Sequence, residues 1–353
     1  MSQHVPQQIR YWTWLSAAWL LTGPWPASAI DPSAIVERIA FGSCCNQKRS
    51  QVIWPTIAAQ KPQLFLFLGD NIYGDSEDME VLRAKYDELN ANPGYAALRE
   101  ICPVLATWDD HDYGANDAGA EFPQREASQK LFLEAFRVAK DRAPWQRPGI
   151  YDSYLFGPPG QRVQIILLDT RYFRGPLRKG GGDWPKQLGP YQENLDPSST
   201  MLGDAQWEWL EAQLKEPAEL RIIGSSIQFL PVDTHWERWQ NLPLERARLL
   251  ELLKADRRAT IILLSGDRHL GELMQSELAP GQTLFEATSS GLSHAGGGQN
   301  NEPNRFRTGP LFRHLNFGTI EISWTQSRPD CTIAIRDANG NAVSLLETNL
   351  SRP

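Results

Sequence analysis

A chain of 353 residues can bury a large core and fits one large domain or two. Its formal charge of -7 excludes a basic, sequence-independent nucleic-acid surface, but not an anionic substrate, because bound metals invert a local field. Apolar and charged fractions of 41% and 22% exclude a disordered chain, and the thirteen Trp read as core and surface residues rather than a carbohydrate site.

The first residues carry the pattern of an export leader. Arg10 supplies a positive charge, Tyr11 to Trp25 is mostly apolar apart from Gly23 and Pro24, and Ala27-Ser28-Ala29 offers an A-x-A cleavage pattern. The run is short for a membrane span. It predicts a signal peptide over 1–29, cleavage after Ala29 and an exported mature chain over 30–353 with no stable membrane span. An uncleaved anchor is the competing reading.

Beyond the leader, apolar runs read as strands at Arg38–Gly42, Leu64–Leu68, Val104–Thr107, Val163–Leu168, Arg221–Ile223 and Thr260–Leu264. They are near-continuous in apolar content, as strands buried on both faces are. Helical patterns lie between several of them. One is capped by Ser76 and places Met79, Leu82, Tyr86 and Leu89 on a single face; another is capped by Asp204, with Trp207, Leu210 and Leu214 inward; a third spans Leu244 to Lys254. Alternation of this kind predicts a layered α/β core. Arg174 to Thr200 and Ala295 to Pro310 are Gly-rich, polar and aperiodic, the former read as a lid or a plain insertion. The alternating runs Gly318–Ser323, Cys331–Arg336 and Ala342–Leu346 are expected to complete a second sheet. No repeat or linker is visible, so a single domain is expected after the leader.

The chemistry sits where strands end. The first run stops at FGSCC, where Cys44 could donate a thiolate, or serve as a small buried residue or half of a disulfide. Vicinal Cys44 and Cys45 are poorly placed to bond each other; with one of them on a metal, one bridge remains open among Cys45, Cys102 and Cys331. The second ends in GDNIYGD. Gly69 permits a tight turn, Asp70 could bridge two cations, and a one-turn loop would return the Tyr73 phenol, a hard oxygen donor, beside it. The third ends in WDDHD, with three acids and a His over Asp109 to Asp112. Close like charges oppose one another, so a cation is the expected partner. Asp110 is read as ligand and His111 as proton donor or transition-state stabiliser, with Asp109 as the alternative ligand. Thr260–Leu264 ends in SGDRH, whose Asp267 and His269 fall on one side of an extended segment. Loops at the carboxyl ends of strands share one crevice in open α/β sheets, so these stretches are expected to converge.

In combination, GDNIY, WDDHD, SGDRH, the leading SC and LDTRYFR resemble the PhoD-type alkaline phosphatase (alkaline phosphatase D)/phosphodiesterase family of the metallophosphoesterase superfamily, over roughly Ile39 to Gly271. That resemblance implies an α/β fold, a two-sheet α/β/β/α sandwich. It also implies an exported hydrolase of phosphate mono- and diesters, periplasmic or extracellular, with iron and calcium in the site. Residue by residue, it implies Cys44, Asp70 and Tyr73 around an iron-like ion, Asp70 bridging to a second metal, and Asp110 and Asp267 completing the cluster. His111 would face the substrate phosphate, and His269 would be a ligand or stand behind one. Arg171 would support the site or form a buried ion pair, and His294 would reach the site or stand outside it. Two departures stand out: GSSIQ (Gly224 to Gln228) replaces a His-bearing block, with Ser226 or Gln228 as weak substitutes, and the twin-Arg export pair is absent.

The expected activity is attack of a metal-activated hydroxide on the phosphorus of a phosphate ester. Two readings compete: a serine hydrolase using Ser43, Ser225 or Ser265 with a His, which lacks a G-x-S-x-G elbow, and a non-catalytic exported metal-binding protein.

Overall fold

The computed structural model describes residues 31–180, 185–296, 302–324 and 328–349. The leader, residues 297–301 of the Gly-rich Ala295–Pro310 stretch and residues 181–184 of the Arg174–Thr200 stretch lie outside these residues.

The first half of the chain runs β1 (Arg38–Gly42), α1 (Trp54–Ala59), β2 (Leu64–Leu68), α2 (Met79–Asn90), α3 (Pro93–Ile101), β3 (Val104–Thr107), α4 (Asp110–Tyr113), α5 (Arg125–Ala135), β4 (Asp152–Phe156) and β5 (Val163–Leu167). The two-residue pair β6 (Arg178–Lys179) and β7 (Tyr191–Gln192) follows, then α6 (Gly203–Gln213), β8 (Leu220–Gly224), α7 (Pro243–Ala255) and β9 (Thr260–Ser265). Antiparallel strands close the chain: β10 (Gly271–Ala279), β11 (Gln282–Ser289), β12 (Arg307–Phe312), β13 (Asn316–Ser323), β14 (Asp330–Asp337) and β15 (Ala342–Glu347).

Two sheets face each other. One has the order β15-β14-β13-β1-β2-β3, the other β12-β10-β11-β9-β8-β5-β4. Strand periodicity builds the layers. In β2, Leu64, Leu66 and Leu68 enter the core between the sheets, while Phe65 and Phe67 point the other way and pack on Trp54 of α1 and Tyr95 of α3. In β9, Ile262 and Leu264 face the same inter-sheet core, and Ile261 and Leu263 meet Trp207, Leu210, Leu249 and Leu253 of α6 and α7. Helices therefore cover both outer faces, which is the expected α/β/β/α sandwich.

Three details differ from the sequence reading. Strands β13 to β15 complete the sheet that also holds β1, β2 and β3 rather than a sheet apart from them: β13 pairs antiparallel with β1, Ile39 opposite Ile320. The free edge of β1 offered unpaired backbone groups, and β13 satisfies them. Helix α2 is capped by Asp78, whose side chain accepts from the Glu80 amide at 2.9 Å; Ser76 instead accepts from the Asp78 amide. Helix α6 starts at Gly203, and Thr200 accepts from the Gly203 amide at 2.8 Å, so Asp204 lies in the first turn rather than at the cap.

Strands β1, β2 and β3 are mutually parallel, and so are β5, β8, β9 and β11. All seven deliver their carboxyl ends to one edge of the sandwich. A parallel bridge between Ser43 and Ser290 ties the two sheets together there. All four cysteines are free and buried, so the bridge left open among Cys45, Cys102 and Cys331 is not formed.

Candidate metal centre

At this shared edge the chain turns sharply, and the turns carry the acids. Gly69 has φ 96°, and a Cβ there would meet the Asp109 Cβ at 2.5 Å, so no other residue lets the β2 and β3 loops approach. Cys44, Asp70, Asp75, Asp117, Asp267 and His269 all hold left-handed backbone, with φ between 46° and 67°. Such conformations cost free energy in non-glycine residues and persist where the surroundings over-determine them. Here backbone hydrogen bonds do so: the Cys45 amide donates to the Asp70 carbonyl at 2.8 Å, Gly74 to His111 at 3.1 Å, His294 to Cys44 at 3.0 Å and Ser290 to Leu270 at 2.9 Å.

The expected convergence is observed. Asp70, Asp110, His111, Asp267 and His269 line one cavity of about 230 Å3. The Cys44 Sγ lies 3.2 Å from Asp70 Oδ2 and 3.0 Å from the Ser290 hydroxyl. The Tyr73 phenol returns to within 3.4 Å of the same Asp70 oxygen and 3.0 Å of His269 Nε2. Two groupings place their donor atoms within 4.8 Å of one another, Cys44–Asp70–His269 and Asp70–Asp110–His111, and Asp70 belongs to both. A third, Asp110–Asp117–Glu237, adds two residues that sequence reasoning missed. Asp117 was visible in DYGAND; nothing in the sequence marks Glu237.

These donor atoms fit cations. Asp70 is 1% exposed, and its Oδ1 is buried with no partner, which is costly for a carboxylate unless a ligand supplies the charge. Burial first, then Cys44 and Asp110 beside it, pushes the Asp70 carboxyl well above its usual range. Burial does the same to Asp267, with Asp109 adding to it. Burial holds the Cys44 thiol up at about 12, so a thiolate there needs a cation. Burial lowers His269 to about 3, helped by His294, leaving a neutral imidazole suited to a metal. For His111 burial works downward, but Asp110, Asp70 and Asp75 outweigh it and raise the imidazole to about 11. Asp75, a residue the sequence reading left unassigned, holds His111 Nδ1 at 2.6 Å.

The remaining candidates separate by geometry. Asp110 accepts from the His111 and Asp117 amides at 2.8 and 2.7 Å and lines the cavity. Asp109 instead gives one oxygen to the Arg171 guanidinium and to Ser226 at 2.6 Å, with its other oxygen buried and unpartnered. Asp112 caps α4 through the Asp109 amide at 2.7 Å and holds Asn71 at 2.5 Å. Arg171 is fully buried between Asp109 and Glu237, the ion-pair alternative of its two readings, and it does not line the cavity. His294 does reach the cluster: its ring stacks on His269 at 3.9 Å and lies 5.1 Å from Tyr73.

The weak substitutes for the missing His are corrected. Ser226 is turned to Asp109 and Thr170, and Gln228 to Glu272 and Thr288, away from the cluster. The serine-hydrolase reading also fails. Ser43, Ser225 and Ser265 are buried, and their hydroxyls donate to the Ser289 carbonyl, the Ile227 carbonyl and Glu286; none meets a His among the described residues.

A family model described as PhoD-like phosphatase matches residues 39–328. Alkaline phosphatase D of Bacillus subtilis (strain 168) is 24% identical over 280 residues, covering 67% of this chain and 47% of that protein. The chain thus spans about half the length of that relative. Among solved structures, one of PhoD superposes with a TM-score of 0.66 at 15% identity over 91% of this chain and 73% of that one. GAP50, the anchor in the inner membrane complex of Plasmodium, gives 0.58 at 13% identity over 90% of each chain. A dimetal phosphatase from Danio rerio gives 0.54 at 13% identity over 89% of this chain and 99% of that one. At these identities the superpositions establish the fold.

Proposed function

The chain belongs to the PhoD-like phosphatase family, and from that premise we propose that it is a metal-dependent phosphoric ester hydrolase acting on phosphate monoesters, diesters or both. The observation that carries this reading is the sharing of Asp70 between two donor clusters, with one of its oxygens buried and unpartnered. The phenol of Tyr73 and the thiol of Cys44 suit an iron-like ion; the carboxylates of Asp110, Asp117 and Glu237 offer an all-oxygen set that suits a harder cation such as calcium. Bound there, cations would neutralise phosphate oxygens and lower the pKa of a coordinated water.

The chain's own residues do the rest. Asp70 and Asp110 fix the spacing of the two sites, and His269, kept neutral by burial, completes the first. Asp75 holds His111 by Nδ1, so Nε2 is the nitrogen left for the substrate. Asp75 stands outside the two proposed clusters, and its carboxylate would favour the protonated imidazole that donation to a leaving oxygen requires. Arg171 is a positioning residue: it anchors Asp109 behind the loop that carries Asp110 and His111. We further propose export through the 1–29 leader and a single catalytic unit after it. No helix among the described residues is long and apolar enough to cross a membrane.

The test is turnover of p-nitrophenyl phosphate and its bis ester before and after chelation, beside elemental analysis of the purified protein. Loss of turnover on chelation, restored by iron with calcium, is expected. Turnover that survives complete metal removal overturns the reading.

A further inference from the structure

One wall of the cavity is made by none of the metal-type residues. It consists of Pro190 and Tyr191 from the Arg174–Thr200 stretch and Trp236 from the segment after β8, with Arg268 at its border. The two segments are joined by backbone hydrogen bonds. Tyr191 donates its amide to the His235 carbonyl at 2.8 Å, His235 donates to Leu188 at 2.5 Å, and Asn194 donates to Asn241 at 2.8 Å. Gly189 is pressed against the His235–Trp236 peptide, where a Cβ would lie 2.3 Å from the Trp236 nitrogen. Tyr191 is tied by its hydroxyl to Asp117, and the Arg268 guanidinium sits 4.9 Å from the Trp236 ring centre, with its other end on Glu302 at 2.6 Å. The backbone of the half-buried Trp236 is therefore fixed against Gly189, and its ring lies against Arg268, beside a space that already contains Asp70, Asp110 and His111.

On the reading that this is a phosphoesterase, we propose that Pro190, Tyr191 and Trp236 form the leaving-group subsite, and that it selects esters of planar aromatic alcohols over small alkyl esters. An aromatic wall offers a flat ring a rigid contact area, and the Tyr191 side chain is already held by its hydroxyl on Asp117, which lowers the ordering cost of binding. The cavity of about 230 Å3 is smaller than sites that enclose drug-sized ligands. It suits a phosphate carrying one ring, with any larger substituent left outside. Glu302 holds Arg268 over the Trp236 ring, so a bound ring would meet Trp236 on a side that Arg268 does not cover.

The test uses the metal-loaded protein and two non-hydrolysable probes, phenylphosphonate and methylphosphonate, with affinities read by calorimetry. The expected result is roughly tenfold or greater preference for the phenyl probe, the scale of ring stacking on an aromatic side chain. Trp236→Leu should reduce that preference several-fold, while Trp236→Phe, which keeps a ring, retains most of it with an unchanged thermal midpoint. Equal affinities in the wild type, or a preference that survives Trp236→Leu, overturn the subsite. Should Trp236→Leu fail to fold, the ratio in Trp236→Phe and Tyr191→Leu decides in the same way. Phenyl phosphate turnover indifferent to chelation would instead overturn the metal-dependent reading of the site and leave the binding contrast standing.

Discussion

Asp70 stands in left-handed backbone at φ 49°, with Cys44 and Tyr73 on one oxygen and no partner on the other. A Gly-Asp turn that merely closed a strand would gain from replacing this residue, since burying an unpaired carboxylate is unfavourable. A ligand residue would not gain in the metal-loaded protein, where replacing it costs the metal. Asp70→Asn is isosteric and keeps the backbone contacts, so it separates the two. The expected outcome is loss of bound metal and loss of turnover by about 100-fold or more, with the apo protein as stable as wild type or more so. Elemental analysis, steady-state rates and thermal melts of the apo forms check it. Arg171 illustrates the opposite case at the same scale. It is fully buried, but its charge is consumed by Asp109 and Glu237, and it acts on the site only through them.

Among elements, β11 has a role the sequence reading did not anticipate. Its Glu286 is fully buried and accepts from the Phe229 and Leu230 amides at 2.9 and 2.6 Å and from the Ser265 hydroxyl at 2.7 Å. One carboxylate thus holds the segment that leads to Trp236 against β9. Burial raises its pKa to about 7, against about 4.3 for an unfolded Glu. A raised folded-state pKa means the native state binds more protons than the unfolded one between these values. Its contribution is therefore fully present below about pH 4 and is lost as pH rises through about 7. Glu286→Gln cannot ionise. Relative to wild type, it should gain up to roughly 3 kcal/mol between pH 4 and pH 8, whatever fixed offset the lost hydrogen bond imposes. Denaturant titrations of both proteins at the two pH values read this directly; parallel pH profiles would show that folding does not raise the pKa of Glu286.

For the whole molecule, seven parallel strand ends from two sheets are pinned to one edge, and the acids they carry repel one another. Cations that bind only this assembled edge stabilise the fold by mass action. Chelation should then lower the thermal midpoint by roughly 5 °C or more, and re-addition of metal should restore it, in a melt that needs no substrate. An unchanged midpoint after verified metal removal would mean that cations, if bound, are not tied to the folded edge.

Much of this architecture is written in local pattern. Apolar runs such as Leu64–Leu68 and Thr260–Leu264 can only be buried on both faces, and the polar residues directly after them can only lie at strand ends; hence the layers, the crevice and Cys44, Asp70, Asp110, Asp267 and His269 as its contents follow from the sequence. Other features depend on distance in space. Nothing near Glu237 or Trp236 in the chain distinguishes them from surface residues, because their partners, Arg171, Asp117 and Arg268, arrive from other loops. The difference between Asp109 and Asp110 is likewise invisible in WDDHD, where adjacent acids look equivalent; the fold puts one on Arg171 and the other at the cavity. That β13 would join β1 rather than start a sheet was also invisible, since alternation specifies a strand's faces but not its neighbour. Periodicity is a property of consecutive residues and fixes what is buried; pairing, charge partners and cavity walls are properties of residues far apart, and only the folded chain decides them.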